Sequence, residues 1–101
     1  MSNSILAGLQ PMHPGEFLRE TVLPGLDESM TGIASALGLS RQSLYQIVNE
    51  KRPVTPRVAL RLAKAFGNSA EFWLDMQARY DLAIEREEDA EGLARVRALA
   101  A

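Results

Sequence analysis

The sequence contains no cysteine. That excludes a disulfide framework, thiol catalysis and the usual cysteine-bearing zinc sets, and it fits a reducing cytoplasm. There is one histidine, His13. Paired only with Glu16, three residues on, it falls short of a metal ligand set, so neither metal nor other cofactor is expected. Glu16 is better explained by the positive N-terminal end of a helix. No apolar run approaches the roughly 20 residues that cross a bilayer. The opening MSNSILAGLQPMHPG lacks the basic start and sustained apolar stretch of a secretory leader. A cytoplasmic protein without membrane contact is the expectation. Repeats, low-complexity tracts and useful strand-like alternation are also missing. So are a nucleophile–base set, a plausible carboxylate pair and a phosphate-cradling glycine loop, and an enzyme is not expected.

What is present suits one packed domain. The 101 residues are 47% apolar, enough to bury a core without covalent staples. Net charge is −2, but it is unevenly placed. Residues 1–68 hold seven Lys and Arg against five Asp and Glu, net +2, whereas residues 69–101 hold four against eight, net −4. Within 40–67 the bases Arg41, Lys51, Arg52, Arg57, Arg61 and Lys64 face one acid, Glu50. Because salt screens charges beyond about 8 Å, such a patch can meet a polyanion on an acidic protein.

The local signals are helical throughout. Pro14 suits a first helical position, and Pro24-Gly25 ends a helix whose inner face holds Phe17, Leu18 and Val22. Ser29 caps a second helix to Leu37, with Ile33, Ala34 and Leu37 inward, and Gly38 supplies a left-handed stop. Ser40 caps a third helix of about nine residues with Leu44, Ile47 and Val48 inward. Lys51-Arg52-Pro53 is a loop. Thr55-Pro56 opens a fourth helix carrying Val58, Ala59, Leu62, Ala63 and Phe66, closed by Gly67. Ser69 opens a fifth that runs toward the acidic EREEDAEG. Leu93, Val96 and Leu99 predict a last amphipathic helix.

Two helices joined at a glycine turn, the second polar outside, form a helix-turn-helix pattern. Ala34 is small where the third helix crosses it, and Ile33, Leu37, Leu39, Leu44 and Ile47 fix the angle. The rigid pair can present the third helix to a major groove about 12 Å wide. Its exposed start offers Ser40, Arg41, Gln42 and Ser43, with Tyr45 and Gln46 one turn on, as base contacts. Arg pairs with guanine and Gln with adenine. Tyr45 has two readings, a base contact or packing over a neighbour. Asn49, Lys51, Arg52, Thr55 and Arg57 suit phosphates, which position without reading sequence. Arg61 and Lys64 read as a solvated face. One short helix reads few bases, so a homodimer on paired half-sites is expected.

The segments MHPGEFLRE (12–20), ALGLSRQSLYQIVNEKR (36–52), VTPRVALRLAKAFG (54–67) and SAEFWLDMQARYDL (69–82) resemble the HigA antitoxins of the XRE-type helix-turn-helix group. The resemblance implies an all-α, compact five- to six-helix domain of the phage-repressor-like helix-turn-helix type. It implies an antitoxin that neutralises a HigB-type toxin, an endoribonuclease acting on messenger RNA. As a dimer the antitoxin would bind a palindromic double-stranded operator and repress its own operon. Ser40, Arg41, Gln42, Ser43 and Gln46 match recognition-helix positions, and Lys51, Arg52 and Thr55 match the loop and helix start after it. Two positions depart from the pattern. Met30 stands where many of these folds brace phosphate with glutamine. Glu50 stands where many carry glycine, and its charge faces phosphate unfavourably unless Lys51 or Arg52 pairs with it.

The expected organisation is a flexible arm over 1–12, the helix-turn-helix domain over 13–82 and an acidic helical extension over 83–101. Phe72 and Met76 are expected in the core and Trp73 in a dimer interface. The run Glu85–Glu91 either steers a basic partner or is a solvated face, and it belongs far from a DNA-reading helix. Besides the antitoxin, a stand-alone repressor without a toxin and a module that binds only protein fit parts of the sequence.

Overall fold

A computed structural model describes residues 10–100. Most of the expected arm, residues 1–9, lies outside the described residues. Among those described, the secondary structure is wholly helical, with no strand. Helix α1 starts at Pro14–Phe17, passes through a wider π turn at Leu18–Val22 and tightens to a 3-10 turn at Leu23–Gly25. Then come α2 (Met30–Leu37), α3 (Arg41–Val48), α4 (Pro56–Phe66), α5 (Ala70–Glu88) and α6 (Ala90–Arg95).

The caps explain the boundaries. Ser29, Ser40, Thr55 and Ser69 each have extended backbone and accept from the N–H three residues on, which satisfies an orphan donor at each start. His13 caps α1 in the same role, its Nδ1 accepting from Gly15 N–H at 2.8 Å. Three helices end alike. Gly38 (φ 69°), Gly67 (φ 72°) and Glu50 (φ 61°) are left-handed. The next residue donates back to the carbonyl five before it, Leu39 to Ala34, Asn68 to Ala63 and Lys51 to Gln46. This is the turn in which glycine is the usual left-handed residue, and Glu50 is the exception.

The core gathers Leu18 from α1, Ile33, Ala34 and Leu37 from α2, and Leu44, Ile47 and Val48 from α3. Val54, then Val58, Ala59 and Leu62 of α4, and Trp73 of α5 complete it. Phe17, Val22, Met30, Leu39 and Phe66 pack partly buried around it. Gly15 lies so close to α3 that a β-carbon there would collide with the Ile47 carbonyl oxygen.

Two expectations are corrected. Trp73, not Phe72, is the aromatic of the core: Trp73 is 0% exposed and Phe72 41%. The buried stripe of α5 runs from Trp73 to Gln77, and Gln77 Oε1 accepts from Val54 N–H at 2.8 Å. A trapped backbone donor there favours a polar residue over an apolar one. The last helix ends at Arg95; Val96 is extended, and Leu93, Val96 and Leu99 are all exposed. Its apolar positions therefore cover no face among the described residues.

Candidate nucleic-acid interface

The α2–α3 corner fixes the orientation of α3. Leu44 and Ile47 are at 0% and 1% exposure, so α3 cannot rotate without opening the core. The Gly38 turn is covered by Arg61, whose Nη1 donates to Leu37 O at 3.2 Å. Arg61 was expected on a solvated face. It is instead half-buried and satisfies an orphan carbonyl at the end of α2, while Lys64 is exposed.

With the inner face fixed, the outer face of α3 is defined. Ser40, Arg41, Gln42 and Tyr45 are exposed, and Ser43 and Gln46 are half-buried. Tyr45 is 44% exposed, which leaves its ring available rather than packed away. Ser40 Oγ accepts from Ser43 N–H at 3.0 Å and lies 2.9 Å from Ser43 Oγ. Arg41 Nη1 donates to Thr31 Oγ1 on α2 at 3.3 Å. Gln46 Oε1 is buried and finds no partner among the described residues. To pair with adenine, which needs the amide oxygen as acceptor, the Gln46 side chain must turn outward.

The flanking residues are exposed as well: Asn49, Lys51, Arg52, Thr55 and Arg57. Asn49 ends α3, its N–H donating to Tyr45 O at 2.9 Å, and Thr55 caps α4. Arg52 folds back so that Nη1 donates to Ser43 Oγ at 3.2 Å, which puts its guanidinium beside the first turn of α3. Met30, at the start of α2, is half-buried and packs against the core.

Glu50 pairs with neither Lys51 nor Arg52; its Oε2 accepts from Arg19 Nη2 at 3.1 Å. Arg19 Nη1 also donates to Val48 O at 2.7 Å and Nε to Glu20 Oε2 at 3.0 Å. These carboxylate bonds hold the Arg19 pKa above its ordinary value. Sequence reading missed Arg19 and Thr31. No local signal marks Arg19, since Glu50 lies 31 residues away.

His13 is 3% exposed and stacks edge-on against Tyr80, ring centroids 5.0 Å apart. Burial lowers its pKa; Glu50 and Asp81 oppose that shift and Arg19 adds to it. Glu16 lies in the first turn of α1. Among the described residues no group of three or more His, Cys, Asp or Glu could hold a metal. No helix among them is long and apolar enough to cross a membrane.

The helix-turn-helix family matches residues 29–73. Virulence-associated protein I of Dichelobacter nodosus is 42% identical over 88 residues, 84% of this chain and 82% of that protein. The solved structure of the Pseudomonas aeruginosa antitoxin HigA with the higBA promoter is 34% identical. It superposes with a TM-score of 0.82 over 89% of this chain and 99% of that one. The antitoxin GraA in complex with its operator is also 34% identical, TM-score 0.83, over 90% and 93% of the two chains.

Proposed function

The chain belongs to the HigA-like helix-turn-helix family, and from that premise we propose that it is an antitoxin and operator-binding repressor. As a homodimer it binds palindromic operator DNA and represses its own operon, and it neutralises a HigB-type toxin. The observation that carries the DNA half is the partition of α3. Leu44, Ile47 and Val48 are locked into the core while Arg41 and Gln42 stand exposed on its first turn. Solved relatives at 34% identity carry promoter or operator DNA in their structures, which supports the same use here.

In this reading Ser40, Arg41, Gln42, Ser43, Tyr45 and Gln46 meet base edges. Arg41 supplies two donors to guanine and Gln42 a donor and acceptor to adenine. Asn49, Lys51, Arg52, Thr55 and Arg57 hold phosphates on either side. Residues 13–82 form the DNA-binding domain. Residues 83–101 extend it, starting on α5, which runs unbroken through the boundary to Glu88. The protein works in the cytoplasm, where its DNA and toxin are.

The test is an electrophoretic shift of the chain's own promoter, with and without the product of the neighbouring gene. Retarded promoter at low salt, weakening steeply as salt rises, is the expected result. Copurification of a small basic partner that loses ribonuclease activity on binding is expected for the antitoxin half. A chain that shifts its promoter but binds no neighbouring product is the stand-alone repressor instead. Absence of any shift removes the repressor half.

A further inference from the structure

Glu50 is out of place twice over. Its backbone is left-handed at φ 61°, in a turn that ends in glycine at the two other helices where it occurs. A side chain there costs conformational energy. Its carboxylate also immediately precedes Lys51 and Arg52, and all three line one open cleft of about 260 Å³, with Asp81, which accepts from Gln77 Nε2 at 3.0 Å, on the α5 side. A free negative charge at that place would oppose any phosphate that the two bases attract.

Among the described residues, the cation bonded to Glu50 comes from another part of the fold. Arg19 lies in the π turn of α1. Its Nη2 holds Glu50 at 3.1 Å, its Nη1 holds the Val48 carbonyl at the end of α3 at 2.7 Å, and its Nε also holds the exposed Glu20 at 3.0 Å. The Glu50 side chain is 29% exposed and that of Arg19 37%, so the pair lies at the surface, where salt weakens it.

We infer that Arg19 is a positioning residue for DNA binding, which offsets the charge of Glu50 and so keeps the Lys51–Arg52 loop attractive to phosphate. The inference rests on the operator-binding reading above. It makes the affinity for DNA depend on a residue that touches no DNA. Removing either member leaves the opposite charge behind, so the two single changes act with opposite sign and the double change nearly cancels. The field acts on phosphates and not on base edges, so operator and unrelated duplex respond by the same factor.

The test measures the full chain's affinity for its operator and for a scrambled duplex, at low and physiological salt, for Arg19→Ala, Glu50→Gln and the double variant. At low salt Arg19→Ala is expected to weaken both duplexes by about three- to tenfold and Glu50→Gln to tighten both by a similar factor. The double variant is expected to return close to the starting affinity, and all differences to shrink with salt. A double variant as weak as Arg19→Ala would show that Arg19 serves only to cap Val48 or touches phosphate itself, and would overturn the inference. So would unchanged or weaker binding by Glu50→Gln, a variant that keeps the Val48 cap and decides the matter even if Arg19→Ala fails to fold. A parent chain that binds its operator while none of the variants differs overturns this inference alone. A parent chain that binds no DNA overturns the operator reading and this with it.

Discussion

Gly15→Ala sets two effects of known sign against each other. Within a helix, alanine is favoured over glycine by about 0.5–1 kcal/mol. At this position the new methyl would collide with the Ile47 carbonyl oxygen on α3, and it would come within 3.1 Å of His13 Nδ1. The carbonyl is backbone in a helix that Leu44, Ile47 and Val48 lock into the core, so it cannot swing away. Forcing extra volume into such a contact costs roughly 1–3 kcal/mol, and disturbing the His13 cap adds to it. Sterics win, and the expected net loss is about 1–2 kcal/mol. For a domain near this size each kcal/mol lowers Tm by about 4–8 °C. Thermal unfolding followed by circular dichroism reads this directly. Gly25→Ala is the matched control, since nothing lies within 4 Å of its β-carbon position, and it should leave Tm nearly unchanged. A Gly15→Ala protein as stable as its parent would mean that α1 does not rest on the recognition helix.

Trp73→Ala should cost about 3–5 kcal/mol, because the ring is wholly buried and its Nε1 donates to Asn68 Oδ1 at 2.8 Å; denaturant unfolding gives the value, and a loss under 1 kcal/mol would put the ring outside the core. Gly38→Ala should destabilise by about 1–2 kcal/mol, since φ is 69° and the new β-carbon would sit 2.6 Å from Arg61 Nη1; the Tm should fall, whereas an unchanged value would deny the left-handed turn. His13 titrates below its ordinary 6.5 in the folded chain because it is buried. Between the folded and unfolded values the unfolded chain binds more protons. The contribution is therefore complete above pH about 6.5 and is lost as pH falls through the lowered folded value. His13→Asn, which keeps a capping side chain but does not titrate, should flatten the stability–pH curve in that window, and an equally steep curve would clear His13 of the role.

How much of this was legible in the sequence follows from how local each signal is. The caps at Ser29, Ser40, Thr55 and Ser69 and the turns at Gly38 and Gly67 depend on neighbours within five residues, and spacing alone located them. The exposed face of α3 was legible for the same reason, since its buried residues repeat at helical intervals. The facing of α5 was not. A count of apolar residues favours Phe72 with Met76, whereas the structure buries Trp73 with Gln77, a polar residue held inward by Val54 N–H. Hydropathy has no term for a backbone donor supplied by a distant loop. Arg19–Glu50 and Arg61–Leu37 were hidden likewise, being pairs 31 and 24 residues apart. The end of α6 at Arg95 shows the converse: Leu93, Val96 and Leu99 repeat at helical spacing, yet the helix stops where no described surface packs against it.

The most direct test of the account is the affinity of the Arg41→Ala and Gln42→Ala proteins for the native operator, beside their affinity for unrelated DNA. Both side chains are exposed, so stability should hold. Operator binding should weaken by about 1–3 kcal/mol for each base contact removed, with a smaller effect on unrelated sequence. Operator affinity that stays at the parent value in both variants, with the fold intact, would contradict the claim that the first turn of α3 reads DNA.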